Sequence, residues 1–353
     1  MNRSLSDRLC AVQPLDQTIM QQARDRWNSI AKPLGGLGLL EDAVVQIAGI
    51  TRDAQVSLKK RACVVFCADN GVVSEGVTQT GSEVTAVVAE NFTRGETCAC
   101  MMARVADCDL LPVDIGVSQD VQGDLLRHKI AYGTGNIAVG PAMTREQALD
   151  ALCFGIDLVG DLKQKGYRIL ATGEMGIGNT TTASAVASVL LGKPPASLTG
   201  RGAGLSSDGL QRKICAIERA IAVNQPDPAD PIDVLSKVGG LDIAGLCGLF
   251  LGGAVHRLPV VVDGVISAAA ALAAVRLCPA AAGYPLASHL PEEPAGRPLL
   301  DALGISPAIS AGLRLGEGTG AIAMLPLLDM AAAVYCGMRT FEQIQIDGYQ
   351  PLE

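Results

Sequence analysis

The residues best suited to chemistry in this chain lie in one glycine-rich stretch, Gly173–Ala185, which reads GEMGIGNTTTASA. A short apolar run precedes it, and residues 180–191 have the composition of a helix that ends at Gly192. A strand, a glycine turn and a helix start leave several backbone N–H groups free at one point, where the positive end of the helix dipole attracts an anion. Glu174 adds a carboxylate there, so the stretch predicts a phosphate site with an acid beside it.

Two further glycine clusters contain charged side chains. Residues 198–208 (LTGRGAGLSSD) lead into a predicted helix with Arg212 and Lys213, which are cationic donors of the kind that bind phosphate. Residues 314–321 (RLGEGTGA) place Glu317 between glycines, which leave its carboxylate accessible. None of the three histidines lies in a glycine-rich cluster, so we expect any proton transfer to fall to a carboxylate.

Four predicted strands are followed by turns that contain an acid and a glycine. The strands cover residues 62–67, 110–114, 168–171 and 258–262. In an open α/β sheet, ligands bind at the carboxyl ends of the strands. Any one such turn can simply end a strand, but four of them predict a rim that binds a ligand.

The composition narrows the class of protein. The chain has 353 residues, 3% aromatic residues and a net charge of −8, which argues against a nucleic-acid surface. Its eleven cysteines form no CxxC pair and it has three histidines, so we expect no metal site and reduced thiols. The polar N-terminus lacks an export signal, and the longest apolar run, 265–275, is about half of a membrane-spanning helix. We therefore expect a cytoplasmic protein with small-molecule partners, no nucleic acid and no membrane.

The order of predicted elements indicates an α/β fold. Four helical patterns alternate with the strands, at residues 84–104, 144–165, 208–224 and 242–257. Three of these helices are expected to start at Thr144, Asp208 and Asp242. This alternation predicts a doubly wound, mostly parallel sheet of the Rossmann-like, three-layer type over residues 61–290.

The two ends of the chain lack strand patterns. Residues 1–60 contain helical patterns at 16–31 and 39–50 and no strong strand, and the tail after residue 290 is again mostly helical. We expect residues 1–60 and 291–353 to form one small helical domain beside the large α/β domain.

Four motifs in this chain resemble those of the nicotinate-nucleotide–dimethylbenzimidazole phosphoribosyltransferase family. They are ADNG at 68–71, GEMGIGNTT at 173–181, SKVGGLD at 236–242 and RLGEGTG at 314–320. The resemblance implies that 5,6-dimethylbenzimidazole attacks C1′ of nicotinate mononucleotide with inversion, releasing nicotinate and forming α-ribazole 5′-phosphate for the lower ligand of cobalamin. It also implies a homodimer with a large α/β and a small helical domain. It implies no cofactor and no metal, because nicotinate leaves as a neutral ring nitrogen.

The resemblance implies roles for individual residues. Glu317 matches the family's general base, and Glu174 matches a second acid that faces the reacting centre. The residues implied at the phosphate and ribose are Gly176, Gly178, Asn179, Thr180, Gly202, Lys213 and Asp263. The residues implied at the aromatic base are Thr80, Val88, Met175 and Leu315. A carboxylate in a partly dry pocket has the raised pKa that suits a base near neutral pH, which agrees with these roles.

Two positions in the implied base pocket depart from enterobacterial members of the family. Thr80-Gly-Ser stands where those members read Ser-Pro-Lys, and Val88 stands where they have Gln. We therefore expect the preferred base to differ, with looser discrimination among benzimidazoles or acceptance of purines or phenols.

Two other functions remain open from the residues alone. One is a phosphoribosyl or nucleotide-dependent transferase with another acceptor at the Glu317 site. The other is a nucleotide-binding regulatory protein that has lost catalysis. Glu174 and Glu317 argue against the second, because binding an anionic ligand gives no reason for two carboxylates beside it.

Overall fold

The computed structural model describes residues 5–349. The strands among these residues form one six-stranded parallel sheet. Its strands are β1 Arg61–Ala68, β2 Asp109–Gly116, β3 Leu126–Arg127, β4 Ile169–Met175, β5 Val260–Val261 and β6 Pro285–Leu286. The spatial order is β3-β2-β1-β4-β5-β6, and every neighbouring pair is parallel. The chain moves outward from β1 to β3, then returns to the other side of β1 at β4. This confirms the doubly wound α/β sheet.

Helices connect the strands and cover both ends of the described chain. They are α1 Leu5–Leu9, α2 Gln17–Ser29, α3 Leu39–Thr51, α4 Glu83–Arg94, α5 Cys98–Val105, α6 Arg145–Gln164, α7 Asn179–Leu191, α8 Pro195–Leu198, α9 Ser207–Asn224, α10 Pro231–Val238, α11 Leu241–His256, α12 Val265–Leu277, α13 Gly296–Leu303 and α14 Thr319–Gly337. Short 3₁₀ helices cover Gly71–Glu75, Pro279–Ala281 and Glu342–Ile344.

The helix boundaries confirm one predicted start and correct one predicted helix. Thr144 caps α6 as expected, because its hydroxyl accepts the Gln147 N–H while the Gln147 side chain accepts the Thr144 N–H. The single helix predicted over 84–104 is wrong. Helix α4 ends at Gly95, whose φ of 74° is left-handed, and α5 begins again after its own cap, Thr97.

Two predicted caps are also wrong. Helix α9 is capped by Ser206, whose hydroxyl accepts an N–H in the first turn, so Asp208 lies inside the helix. Helix α11 begins after Gly240, which places Asp242 in its first turn with a fully buried side chain. The Asp242 side chain therefore makes contacts in the protein interior and does not cap the helix.

The two faces of the sheet support separate layers of helices. Strand β1 is buried along its whole length, and its side chains alternate between the faces. Val64 and Phe66 join the core under α6, α7, α11 and α12. Val65 and Cys67 join the core under α2 to α5 and α14. The three-layer prediction is confirmed.

Helices from both ends of the described chain pack together. Helix α3 contacts α2 and α14, and the rings of Trp27 and Tyr335 lie 5.1 Å apart. A backbone bridge joins Ile30 to Thr340. Helix α14 also packs on β4 and α5, so the core on this face is continuous with that of the sheet. The boundary between a small helical domain and the α/β domain stays a prediction.

Helix α14 is a long apolar helix. By length and composition it is the one helix of residues 5–349 that could cross a membrane. Its contacts with α3, α5 and β4 are those of a core helix in a folded domain.

Strand β4 positions the site because it extends beyond its predicted end at residue 171. It pairs with β1 through Val65 opposite Gly173 and Phe66 opposite Glu174. Glu174 therefore lies on the strand and not in the following turn. Strands β1 and β4 flank the point where the winding direction reverses, which is where ligands bind in doubly wound folds.

Candidate active site

A cavity of about 200 Å³ opens at the carboxyl ends of the central strands. The loops after β1, β4, β5 and β6 line it, together with residues 201–205 and 313–319. Its lining includes these predicted residues: Thr80, Glu174, Met175, Gly176, Gly178, Asn179, Thr180, Gly202, Lys213, Asp263, Leu315 and Glu317. Of the predicted residues, all of which the structure describes, Val88 alone does not line the cavity; it lies on α4 against the core of that face.

The turn from β4 into α7 leaves a hydrogen-bond donor free. Gly178 adopts a φ of 93°, which glycine tolerates far better than other residues, and it directly precedes α7. The N–H groups of Asn179 and Thr181 bond to the carbonyls of Gly176 and Gly178, whereas the Thr180 N–H has no backbone partner within residues 5–349. This N–H lies at the positive end of the helix dipole, where an anion is stabilised.

Lys213 supplies the positive charge beside this turn. Its Nζ donates to Thr180 Oγ1 at 2.7 Å, and a Cβ at Gly202 would lie 3.4 Å from Nζ, so the two glycine-rich loops meet at this amine. Burial lowers the pKa of Lys213 to about 8, and Glu293 opposes that shift. A buried ammonium of this kind is stabilised by an incoming anion, so the arrangement of the two loops suits a phosphate, and the phosphate site stays a prediction.

Glu174 is the buried acid of the cavity. Asn179 Nδ2 donates a hydrogen bond to its Oε2. Burial raises the pKa of Glu174 to about 8, helped by the charges of Asp242, Asp263 and Glu317 and opposed by the Asn179 hydrogen bond. The carboxyl is therefore mostly protonated at pH 7 in the ligand-free protein, and a nearby positive charge would ionise it.

Glu317 lies in the loop that leads into α14. Its φ of 60° is left-handed, and strain of this kind in a residue other than glycine is typical of functional sites. The Ala99 N–H in the first turn of α5 donates to its Oε2 at 3.1 Å. A Cβ at Gly316 would lie 2.5 Å from Glu174 Oε1, so a glycine is needed for this loop to approach Glu174. The Glu317 loop thus lies directly against Glu174.

Asp263 lines the cavity and accepts hydrogen bonds from the first turn of α14. Its Oδ1 accepts the N–H groups of Gly320 at 2.7 Å and Ala321 at 3.0 Å, which commits one carboxylate oxygen to the fold. His289 lines the same cavity, with Nδ1 3.1 Å from Ser288 Oγ, and its ring lies against Gly320. A histidine therefore does meet a glycine-rich cluster in space, which the spacing of the sequence did not predict.

Asn179 connects two acids. Its Nδ2 donates to Glu174 and, at 3.0 Å, to Asp242 Oδ2. Both hydrogens of this nitrogen are therefore committed to carboxyl groups. A phosphate at the start of α7 would contact Asn179 through other atoms.

The predicted base-pocket residues differ in exposure. Thr80 and Leu315 are exposed at the cavity, and Met175 is half-buried. The side chains of Met175 and Leu315 offer apolar contact to a flat ring.

Asp242 and His289 were not among the predicted site residues. Asp242 lies inside the motif SKVGGLD, so that motif contained the signal that could have identified it. His289 follows β6, a two-residue strand with no sequence pattern to mark it. Among residues 5–349, no group of three or more His, Cys, Asp or Glu side chains is arranged to hold a metal ion.

Comparisons with known proteins point to one family. A phosphoribosyltransferase family model matches residues 12–346. Nicotinate-nucleotide–dimethylbenzimidazole phosphoribosyltransferase of Ruminiclostridium cellulolyticum is 48% identical over 344 residues, covering 97% of this chain and 98% of that protein. The protein of the same name from Acetivibrio thermocellus is 47% identical over 333 residues, 94% of this chain and 95% of its own length. The crystal structure of CobT from Thermus thermophilus superposes with a TM-score of 0.89 and 39% identity, covering 94% of this chain and 99% of that one.

Proposed function

The chain belongs to the nicotinate-nucleotide–dimethylbenzimidazole phosphoribosyltransferase family, and we propose that it transfers the phosphoribosyl group of nicotinate mononucleotide to 5,6-dimethylbenzimidazole. The products are nicotinate and α-ribazole 5′-phosphate, used in assembly of the nucleotide loop of cobalamin. The observation that supports this most strongly is the meeting of a phosphate site and two carboxyl groups, Glu174 and Glu317, in one cavity.

The 5′-phosphate fixes the position of the nucleotide in the cavity. This phosphate binds at the start of α7, where the free Thr180 N–H, the Thr180 hydroxyl and the Lys213 ammonium converge with the Gly202 loop. Asp263 faces the ribose hydroxyls with the oxygen that α14 does not use. This arrangement holds C1′ in the part of the cavity lined by Glu174 and Glu317.

The reaction is an inverting substitution at C1′. One benzimidazole nitrogen forms the new bond to C1′, and the N–H proton on the other ring nitrogen passes to the Glu317 carboxylate. The bond from C1′ to the pyridinium nitrogen breaks, and nicotinate leaves with both electrons as a neutral ring nitrogen. Glu174, once ionised, stabilises the positive charge that develops on the ribose.

The acceptor base lies between Met175 and Leu315, with Thr80 at the edge. These side chains offer apolar surface and one hydroxyl, which supports acceptance of more than one flat aromatic base. Val88 packs against the core beside α4 and is not among the described residues that line the cavity, so its part in selecting the base stays a prediction.

We propose a homodimer in the cytoplasm. Exposed apolar side chains on α4 and α5, Val87, Met101 and Val105, support an interface between copies. All eleven cysteines are free, as suits a reducing compartment. Light scattering after size exclusion tests the dimer, and a mass of one chain at micromolar concentration would contradict it.

The function is tested with purified protein, nicotinate mononucleotide and a panel of 5,6-dimethylbenzimidazole, benzimidazole, adenine and p-cresol. Nicotinate release is followed by chromatography, and the ribotide is identified by mass and NMR. We expect an α-linked benzimidazole product. Release with another acceptor alone would reassign the substrate, and nucleotide binding without release from any acceptor would favour a regulatory protein.

A further inference from the structure

Two buried carboxyl groups share one hydrogen-bond donor beneath the cavity. Asn179 Nδ2 donates to Glu174 and to Asp242 Oδ2. Two bonds to one nitrogen hold the accepting oxygens within about 6 Å of each other. Glu174 lines the cavity, whereas Asp242 is not among the described residues that line it. Asp242 can therefore act on a substrate only through Asn179 and Glu174.

The surrounding packing fixes Asp242 in this position. Its side chain is fully buried, and its Oδ1 accepts the N–H of Ile243 at 3.0 Å. A Cβ at Gly240 would lie 2.6 Å from Asn70 Oδ1, and that oxygen also accepts the Thr182 hydroxyl at 3.3 Å. The bridge is thus part of a close-packed polar interior between α7, α11 and the end of β1.

The titratable groups that most strongly raise the pKa values of Glu174 and Asp242 are acidic. Those facing Glu174 or Asp242 are Asp263, Glu317, Asp69 and the Cys67 thiol. Repulsion between two close carboxylates in a buried site favours a single negative charge on the pair. Burial raises the pKa of Asp242 to about 6 and that of Glu174 to about 8, so Asp242 ionises first.

Resting on the reaction proposed above, we propose that Asp242 is a positioning residue that orients the Glu174 carboxyl through Asn179 and keeps it protonated until the nucleotide binds. The cationic pyridinium ring then favours the ionised carboxyl. One proton leaves the Glu174 O–H and enters the buffer, and no other bond changes. The carboxylate formed in this way faces the ribose before charge develops there.

Proton release on binding tests this role. Calorimetry of nicotinate mononucleotide binding at pH 7, in buffers of different ionisation enthalpy, counts the protons released. The wild-type protein is expected to release about one proton, because Glu174 changes from protonated to ionised. Asp242→Asn keeps the size of the side chain and removes its charge, so a larger share of Glu174 is ionised before the nucleotide binds and the release falls clearly below that of wild type.

Control variants separate this role from a general loss of structure. Glu174→Gln must abolish the release, because it removes the group that gives up the proton. Asp301→Asn changes an acid on α13 that is 64% exposed in its side chain, and it must leave the release unchanged. Release of a full proton by Asp242→Asn would overturn the proposal.

A second measurement needs neither turnover nor nucleotide. Carbon-13 NMR follows the ionisation of the Glu174 carboxyl in the ligand-free protein, with its resonance identified by its absence in Glu174→Gln. Asp242→Asn is expected to move the midpoint to lower pH by about one pH unit or more, and Asn179→Ala to move it to higher pH because the hydrogen bond to the ionised form is lost. An unchanged midpoint in Asp242→Asn would refute the role of Asp242, whereas failure of the nucleotide to bind would refute the proposed function and leave this result standing.

Discussion

Replacement of Lys213 by methionine should weaken nucleotide binding and stabilise the empty protein at the same time. Lys213 is 1% exposed, and burial lowers its pKa from 10.5 to about 8. That difference corresponds to about 3 kcal/mol of unfavourable free energy at pH 7, since one pKa unit is 1.36 kcal/mol. Loss of the hydrogen bond to Thr180 destabilises the variant by about 1 kcal/mol. Lys213→Met is therefore expected to be more stable than wild type by about 2 kcal/mol.

The same substitution removes the cation that the phosphate contacts. A hydrogen bond to a charged group contributes about 1.5–3 kcal/mol, so the Kd for nicotinate mononucleotide should rise roughly 10- to 150-fold. The Kd for 5,6-dimethylbenzimidazole should stay within about twofold, because the base binds elsewhere in the cavity. The control is Arg212→Met, which removes the neighbouring exposed cation that bonds to the Gly76 carbonyl outside the cavity.

The pH dependence gives a third observable with a defined sign. Because the pKa of folded Lys213 lies below that of the unfolded chain, the penalty is complete below about pH 8 and disappears as the pH rises to 10.5. The stability advantage of Lys213→Met should therefore shrink over that window, and wild-type nucleotide affinity should fall above about pH 8.

Calorimetry for both ligands and urea unfolding from pH 7 to 10 measure these effects. Equal losses of affinity for the nucleotide and the base would move Lys213 away from the phosphate. A ligand-free Lys213→Met protein that is less stable than wild type at pH 7 would show that the amine is not the desolvated charge described above.

Two further predictions concern the acids. Gly316→Ala and Gly304→Ala place alanine at left-handed φ values of 85° and 67°, so each should lose about 1 kcal/mol of stability by urea unfolding. A Cβ at 316 would lie 2.5 Å from Glu174, whereas a Cβ at 304 would meet nothing within 4 Å. Only Gly316→Ala should therefore lose turnover. Equal turnover in the two variants would contradict the placement of the Glu317 loop. For Glu174, the raised pKa means that wild-type stability falls as the pH rises from about 4.5 through 8, and Glu174→Gln should remove this fall, gaining up to about 5 kcal/mol at pH 9 and nothing at pH 4. Parallel stability curves for the two proteins would show that Glu174 is not buried as a neutral acid.

The central strands could be predicted from the sequence because they are buried on both faces. The run at residues 62–67 is continuously apolar, as a strand between two helix layers must be, and β1 covers it. Strands β3 and β6 have two residues each, which is too short for any periodic pattern. The helix predicted over 84–104 failed at Gly95, where a single left-handed residue turns the chain.

The site was predictable where one local segment supplies the chemistry. The segment 173–180, from the end of β4 into α7, contains glycines, hydroxyls and an acid, and all of these can be recognised in the sequence. Asp242 and His289 make their contacts with distant elements, Asp242 with Asn179 and His289 with Gly320, so spacing in the sequence does not predict those contacts, although the motif SKVGGLD contains Asp242. The resemblance to a family implies that Val88 lies at the aromatic base; in the structure Val88 is partly buried against the core, and its role at the base stays a prediction.

Turnover by Glu317→Gln tests the central claim most directly. The variant keeps the size of the side chain and can still accept the Ala99 N–H, but it cannot take the benzimidazole proton. We expect normal folding, an unchanged Kd for nicotinate mononucleotide and α-ribazole 5′-phosphate formation reduced by about 100-fold or more. The matched control is Glu292→Gln, an exposed acid outside the cavity lining, which should match wild type. Near-wild-type turnover by Glu317→Gln would contradict the account.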